Sequence, residues 1–268
     1  MLPIQAHAYN RKRQLQQNIN KIQNWANTNG FKFSKTKTVC MHFCQYRRHH
    51  DEPSLTLDGT PIPVVEEVKF LGIIFDRKLT FVPHLKSLKA KCLKSLDLLK
   101  VIAHTDWGAD RKVILGIYRM LIRSKVDYGS IVYGSARKSY LKMLDPIHHQ
   151  GIRLALGAYK TSPCESLLVE ANELHLAKRR EMLSAQYALK LRSNPLNSAF
   201  TAVFEPKYKT LYDNKPNVIP TFGIRTLPFL DSTKVDISKI LNTIISETPP
   251  WLLKQPRVLF MPHDGKKI

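Results

Sequence analysis

The hydrophobic pattern of this chain changes period near residue 80, and this change constrains the fold more than any other feature. Between Val39 and Phe75, apolar residues form short runs of strand length, separated by turn-forming residues. After Val82, apolar residues recur every three or four positions, as on one face of a helix. The first such seam consists of Leu85, Leu88, Cys92, Leu96 and Leu99. The pattern predicts an α+β fold in which a small antiparallel sheet precedes a set of helices.

The first 80 residues contain signals for a helix, two strand segments and a hairpin. Apolar spacing predicts a helix over residues 11–28, which Asn29-Gly30 ends because glycine readily takes a positive φ. Alternation predicts a strand over Val39–Phe43. An Asp58-Gly59 step between apolar runs predicts a tight hairpin. The almost wholly apolar run from Val68 to Phe75 predicts one short buried strand.

Further helical patterns follow in the middle of the chain. The clearest begins after Asp110, whose side chain can cap the first turn, and its apolar stripe extends from Val113 to Ile122. Pro146 should fall in the first turn of its helix or kink that helix. The remaining helices are predicted over Leu141–Leu156, Glu165–Glu173 and Leu176–Leu191.

Positive charge dominates the chain, and most of it lies in the helical part. The 268 residues include 42 Lys and Arg against 21 Asp and Glu, a formal net charge of +21. Residues 77–192 hold 22 of these basic residues and 9 of the acidic ones. Such a charge attracts polyanions, nucleic acid above all. Basic residues that lie off the predicted apolar stripes are candidate phosphate contacts: Lys86, Lys89, Lys94, Lys112, Arg119 and Arg123.

Several short motifs follow one another in a recognisable order. They are Gln14, Trp25, Asn29-Gly30, Lys37-Thr38, Phe70-Leu71-Gly72, Asp127-Tyr128-Gly129, Arg153 and Ser162-Pro163. With this order and spacing, the chain resembles the passage from palm to thumb in the reverse transcriptases of LINE-type, jockey-like non-LTR retrotransposons. One such motif is a weak signal, whereas the ordered set is a strong one.

The resemblance and the patterns together divide the chain into three expected parts. Residues 1–80 would be the C-terminal remnant of the palm, and residues 81–195 a helical thumb. Residues 196–268 would be a loosely ordered connection region, because periodicity weakens and prolines multiply beyond Asn194-Pro195. One more helix is expected near residues 236–247.

The resemblance implies roles for individual residues. Lys37 would lie near the triphosphate of the incoming nucleotide, where a cation neutralises charge. Phe70, Leu71 and Gly72 would form the strand-turn that steadies the primer terminus. The implied partner is the RNA/DNA template-primer duplex. The thumb helices would close over this duplex, and their basic residues would contact its phosphates.

Catalytic metals belong, by the resemblance, to an aromatic-x-Asp-Asp turn upstream of these motifs. The intact family enzyme would use Mg²⁺ there, held by convergent carboxylates. No Asp-Asp pair occurs in this sequence, and the adjacent acidic pairs Asp51-Glu52 and Glu66-Glu67 match nothing in the catalytic pattern. We therefore expect a fragment of an RNA-directed DNA polymerase that holds no metal and does not polymerise by itself.

Other interpretations of the chain stay open at this point. It could be a stand-alone basic nucleic-acid-binding module without enzymatic activity, or a truncated reading of a longer polymerase gene. The cluster Lys178-Arg179-Arg180 is equally compatible with a solvated turn, a phosphate contact or a nuclear-localisation signal.

The spacing of the cysteines and the length of the apolar runs indicate the cellular compartment of the protein. Cys40 and Cys44 would lie about 13 Å apart on an extended strand, too far apart to share one zinc ion. Four scattered cysteines do not indicate a disulfide-stapled domain, and no apolar run approaches the ~20 residues that span a bilayer. The early basic residues do not resemble a signal peptide. These features predict an intracellular protein, nuclear or cytoplasmic, with no membrane partner.

Overall fold

The computed structural model of the chain describes residues 3–44, 52–104, 108–206, 209–214, 219–233 and 236–243. Short antiparallel hairpins lie in the first third, and helices make up most of the remainder. This arrangement confirms the predicted α+β fold. The described helices include none that is both long enough and apolar enough to cross a lipid bilayer.

The chain begins with a long helix that covers a small hydrophobic cluster. α1 (Pro3–Thr28) is followed by Gly30, whose φ of +74° fits the predicted glycine stop. The helix packs on the hairpin of β1 (Thr56–Leu57) and β2 (Thr60–Pro61). Both residues of the Asp58-Gly59 turn have positive φ, which confirms this hairpin. The cluster consists of Leu55, Leu57 and Ile62, with Ile19 and Cys40 packed against it.

The apolar face predicted for α1 is covered only in part. Ala26 is buried and Ile19 is half-buried, but Leu15, Ile22 and Trp25 are exposed. An apolar groove of about 370 Å³ lies beside Leu15 and Ile22. Most of the stripe therefore faces this groove or solvent.

The strand predicted over Val39–Phe43 does not form. Cys40 makes an isolated parallel bridge with Val64. Its neighbours Val39 and Met41 make no backbone hydrogen bond with any described residue. Alternating hydrophobicity favours an extended backbone, but a strand also needs a partner along its length.

The apolar run from Val68 to Phe75 folds as a hairpin and not as the single buried strand predicted. β3 (Glu67–Phe70) and β4 (Ile73–Asp76) pair antiparallel around a two-residue Leu71-Gly72 turn. Only part of the run is then covered, because Ile73 is buried while the turn lies at an exposed tip. The hydrophobic pattern missed this turn because leucine rarely takes the positive φ that Leu71 has, whereas the resemblance implied a strand-turn at these residues.

Asp76 connects this hairpin to the first helix of the helical part. Its carboxylate accepts hydrogen bonds from the Thr80 N–H at 3.0 Å, the Thr80 hydroxyl at 3.0 Å and the Phe81 N–H at 2.7 Å. Phe81 is the N-cap of α2 (Val82–Ile102) and has a φ of +57°. The three bonds therefore fix the turn through which β4 enters α2.

The predicted seam of α2 is buried in the main core. Each of its five residues is at most 6% exposed, which confirms the helical spacing. The helix packs against α3 (Arg111–Tyr118) and α7 (Asp145–Leu156). Asp110 caps α3 as predicted, since its side chain accepts from the Lys112 N–H at 3.0 Å. Pro146 lies in the first turn of α7, one of its two predicted positions.

Replacing Asp110 tests the contribution of this cap. Asp110→Ala should lower the free energy of unfolding by about 1 kcal/mol, because N–H groups of the first turn lose their side-chain acceptor. Urea unfolding followed by circular dichroism measures the change. Asp231→Ala, at an exposed position near the end of another helix, serves as the control and should change stability by less than about 0.5 kcal/mol. Equal effects of the two substitutions would contradict the capping role.

A π-helical turn, Arg119–Arg123, joins α3 to α4 (Ser124–Asp127). The Ser124 N–H bonds to the Arg119 carbonyl, five residues back. In an α-helix, residues four apart are offset by about 40° around the axis, so a row of such residues drifts away from the core. The wider π-helical turn offsets this drift, and residues spaced by four therefore stay on the side that faces the core. The buried residues of this stretch are Ile114, Tyr118, Ile122 and Val126. Val113 was part of the predicted stripe but is exposed.

Shorter elements complete the helical part. They are α5 (Ser130–Tyr133), α6 (Lys138–Leu141), a 3-10 turn (Lys142–Leu144), α8 (Cys164–Ala171) and α9 (Leu176–Arg192). α8 and α9 match the predicted helices to within two residues at each end. The helix predicted from Leu141 begins at Asp145, because the preceding residues form the short α6 and the 3-10 turn.

The region predicted as a loose connection contains further helices. They are α10 (Phe200–Phe204), α11 (Lys209–Asp213) and α12 (Phe222–Ser232). α12 packs on α9 around the buried Leu230, and Arg225 donates to the Gly134 carbonyl at 2.8 Å. Pro228 lies inside α12 without ending it. Packing against α9 therefore orders a segment whose prolines alone suggested irregular structure.

The helix predicted near residues 236–247 is reduced to a 3-10 turn, Ile237–Lys239. Residues 240–243 have no regular structure, and residues 244–247 lie outside the described residues. The boundaries of the three expected parts stay predictions.

Candidate nucleic-acid interface

The β3–β4 hairpin presents an exposed apolar tip. Phe70 and Leu71 are 61% and 72% exposed. Leu71 and Gly72 have φ of +46° and +84°, positive at both turn residues as in a type I′ turn. Glycine adopts this conformation freely, whereas for leucine the left-handed region costs about 1–2 kcal/mol. The pairing of β3 with β4 closes this turn, and contacts from elsewhere in the chain support it.

The Asp127-Tyr128-Gly129 motif supplies these contacts. The Tyr128 hydroxyl donates to the Leu71 carbonyl oxygen at 2.7 Å. A Cβ at Gly72 would lie 3.3 Å from the Tyr128 ring, and a Cβ at Gly129 would lie 2.5 Å from Ile73 Cδ1. Both glycines have positive φ, +84° and +68°, and lie where the motif and the hairpin turn approach each other, so a side chain at either position would be strained.

This junction joins two of the motifs on which the resemblance rests. Tyr128 and Leu71 are 57 residues apart, and no local pattern predicts a contact over that separation. Tyr128 was not among the predicted site residues. Its position within a recognised motif is the signal that points to it.

Two of the three basic residues predicted on α2, Lys86 and Lys94, lie away from its buried seam, whereas Lys89 lies at the edge of that seam. Lys86 and Lys94 are exposed, and Lys89 is half-buried. At about 100° per residue, Lys86 lies between the other two, roughly 60° from Lys89 and 80° from Lys94. None of the three forms an ion pair with a described residue. We call these three lysines the α2 ridge.

Lys112 and Lys37 are exposed on other elements. Lys112 lies in the first turn of α3. Lys37 lies in a turn closed by a hydrogen bond of 3.1 Å from the Thr38 N–H to the Ser34 carbonyl. Neither lysine forms an ion pair with a described residue, so both ammonium groups can reach a ligand. Their predicted roles stay predictions.

Arg119 and Arg123, in contrast, are both held by the same carboxylate. Glu173 is buried, and its Oε1 lies 2.7 Å from Arg119 Nε and 2.6 Å from Arg123 Nη1. Arg119 also donates to the Ala171 carbonyl at 3.0 Å. These pairs give the two arginines a structural role between the π-helical turn and the end of α8. Phosphate contact by either residue stays a prediction, and it would compete with these pairs.

The cluster Lys178-Arg179-Arg180 is largely occupied by contacts within the protein. Arg179 donates to both carboxylate oxygens of Asp127, with the shortest distance 2.8 Å, and these bonds raise the pKa of Arg179. Lys178 pairs with Glu181 at 2.9 Å. Burial lowers the pKa of Arg180. These contacts support an internal role for Arg179 and Arg180, which the sequence did not suggest.

Sequence comparison connects this chain with proteins of mobile genetic elements. The chain is 29% identical, over 156 residues or 56% of its length, to the retrovirus-related Pol polyprotein of the type-1 retrotransposable element R1 from Bradysia coprophila. It is 30% identical, over 48% of its length, to a probable RNA-directed DNA polymerase from the transposon X-element of Drosophila melanogaster. The RNA-directed DNA polymerase from the mobile element jockey of Drosophila funebris is 27% identical over 54% of the chain. The chain is similar to non-LTR retrotransposon reverse transcriptases. The predicted resemblance is confirmed.

The similarity covers a small part of each reverse transcriptase. The matched regions span 16%, 14% and 16% of the three relatives. No family model and no solved structure matches the chain. The activity printed in the relatives' names belongs to proteins several times longer than this chain.

The magnesium ions implied by the reverse-transcriptase resemblance do not fit the described residues. No group of three or more His, Cys, Asp or Glu side chains among them could hold a metal ion. Glu52 and Glu66 both pair with Arg77, at 2.5 Å and 3.0 Å, and Asp51 lies outside the described residues. Burial, and then Glu52, raises the pKa of the Cys40 thiol, which disfavours the thiolate that zinc requires.

Proposed function

We propose that this chain holds the template-primer duplex of a non-LTR retrotransposon reverse transcriptase. The β3–β4 tip steadies the primer strand near its terminus, and the α2 ridge contacts phosphates of the duplex. The hydrogen bond between Tyr128 and Leu71 carries this proposal, because it joins two motifs of the resemblance at one exposed surface. Carboxylates that hold Mg²⁺ for polymerisation would come from outside the described residues.

The distribution of charge supports the proposal. Arg119, Arg123 and Arg179 are matched by Glu173 and Asp127 within the fold, so they add little to the field around the protein. The lysines of the α2 ridge lack such partners. Unpaired cations on a helix face can neutralise backbone phosphates and release counterions, which gives affinity that depends strongly on salt.

Lys37 extends the same proposal towards the incoming nucleotide. Its ammonium group is exposed in the turn after α1, and we propose that it lies near the triphosphate in the complete polymerase. The interpretation as a stand-alone binding module has no observation in its favour. The relatives that match the chain bear the names of polymerases or of Pol polyproteins.

Removing the α2 ridge tests the proposed duplex contact. The variant K86A/K89A/K94A should bind an RNA–DNA duplex more weakly, and the slope of log K against log salt should become shallower by about 3, one unit for each lost phosphate contact. Fluorescence anisotropy with a labelled duplex, measured at several salt concentrations, gives both quantities.

A control variant with the same change in net charge makes this test specific. Lys160, Lys190 and Lys239 are exposed away from α2, although Lys239 pairs with Asp236 at 3.5 Å, and K160A/K190A/K239A should change the slope by less than about 1. Equal slopes for the two triple variants would show that the α2 ridge is not the contact. Absence of duplex binding by the unmodified protein would overturn the proposed function itself.

A further inference from the structure

Tyr128 differs from the buried tyrosines of the helical part in being largely exposed. Tyr118 and Tyr133 are 1% and 0% exposed, whereas Tyr128 is 59% exposed. Its ring lies against Gly72, and its hydroxyl bonds to the Leu71 carbonyl at 2.7 Å. Tyr128 therefore adds little to the packing of the helices, and its specific contacts go to the hairpin turn.

The hairpin is also held along β4 by other contacts. The Ile74 N–H donates to His84 Nδ1 at 3.3 Å. The Phe75 ring packs edge-on against Phe81, with ring centroids 5.7 Å apart, and Ile73 is buried in the main core. These contacts hold β4 against the start of α2 and the main core. The bond from Tyr128 acts on the turn itself, whose carbonyl at Leu71 these contacts do not reach.

The turn combines an unfavourable backbone conformation with exposure to solvent. Leu71 has a φ of +46° and is 72% exposed, so burial of its own side chain does not compensate for the strain. Strained residues that neighbouring groups hold in place concentrate at sites of ligand contact. Phe70, next to it, is also exposed and offers an aromatic face.

We propose that Tyr128 is a positioning residue that presents Phe70 and Leu71 to the nucleic-acid duplex. This inference rests on the proposed function and names the residue that orients its primer-side contact. α4, which leads to Tyr128, also carries Lys125, whose Nζ donates to Ser95 Oγ of α2 at 2.6 Å. Tyr128 therefore sets the hairpin tip relative to the helix that carries the α2 ridge.

A crosslinking experiment separates positioning from binding. The photoreactive residue p-benzoyl-phenylalanine replaces Phe70, and the yield of crosslinks to an RNA–DNA duplex is measured per bound duplex. Adding Tyr128→Phe, which removes only the hydroxyl, should lower this yield about fivefold, the equivalent of one hydrogen bond. The dissociation constant should change by less than about twofold, because phosphate contacts dominate affinity.

Two further variants complete the experiment. Tyr159→Phe removes a hydroxyl from a residue that is 83% exposed, and it should leave the yield per bound duplex unchanged. K86A/K89A/K94A should weaken binding without changing that yield. An unchanged yield in Tyr128→Phe, with binding intact, would overturn the positioning role alone. Failure of the unmodified protein to bind duplex would overturn the proposed function, and the positioning role with it.

Discussion

Replacing Glu173 with alanine should lower the free energy of unfolding by about 3 kcal/mol, because it leaves two guanidinium groups without their shared partner. The Glu173 side chain is only 3% exposed and lies within 2.7 Å of both Arg119 and Arg123. The guanidinium-bearing side chains are themselves 36% and 25% exposed, so water can solvate them partly after the change. The effect should therefore fall at the lower end of the range for buried pairs.

Glu170→Ala is the matched control for this substitution. Glu170 lies three residues earlier and pairs with Arg111 at 2.7 Å, but the two side chains are 52% and 47% exposed. An exposed pair of this kind contributes at most about 1 kcal/mol. Urea unfolding with an unchanged denaturant slope measures both variants. Equal losses for Glu170→Ala and Glu173→Ala would show that burial of the Glu173 carboxylate does not matter.

The Glu173 pairs also affect how binding measurements on Arg119 and Arg123 should be interpreted. Removal of either arginine would leave a buried carboxylate with one partner fewer, which destabilises the fold whether or not the arginine contacts phosphate. Weaker duplex binding by such a variant would thus not identify a phosphate contact. The slope of log K against log salt does identify such a contact, because it reports how many phosphates are neutralised in the complex.

Local sequence signals predicted the features that depend on neighbouring residues. The seam of α2, the Asp110 cap and the Asp58-Gly59 hairpin each depend on residues within a few positions of one another, and the structure has all three. Helical spacing, a side-chain acceptor before a first turn and a turn dipeptide act through the backbone next to them. Their outcome does not depend on the rest of the fold.

The features that the sequence did not predict depend on distant partners. Leu71 takes a positive φ in a hairpin turn that Tyr128 contacts from 57 residues away. The sequence also did not show that Glu173 binds both Arg119 and Arg123 across 50 or more residues, and their predicted phosphate contact stays a prediction. A residue that lies off the apolar stripe of its helix has a side chain that points away from the core covered by that stripe. This position does not indicate which neighbouring element lies there.

Acidification should destabilise this protein through His148, with a loss of about 2 kcal/mol between pH 7 and pH 5. His148 is buried, and its Nδ1 lies 2.5 Å from the Tyr118 hydroxyl. Burial, assisted by His149 and His175 and opposed by Glu173, lowers the pKa of His148 to about 4. The unfolded chain takes up a proton on this residue near pH 6.5, whereas the folded protein does not until about pH 4. The contribution of the neutral His148 to the free energy of unfolding is therefore fully present above about pH 7, and it is lost as the pH falls from about 6.5 towards 4.

His148→Gln isolates this contribution, because glutamine does not titrate and its amide can still pair with Tyr118. The stability of this variant should fall by about 2 kcal/mol less than that of the unmodified protein between pH 7 and pH 5, as measured by urea unfolding at each pH. Tyr118→Phe removes the hydrogen bond but leaves His148 buried, so it should keep the acid-dependent loss. Burial of the imidazole, and not its bond to Tyr118, then accounts for the pH dependence. An identical loss in the unmodified protein and in His148→Gln would show that other groups cause it.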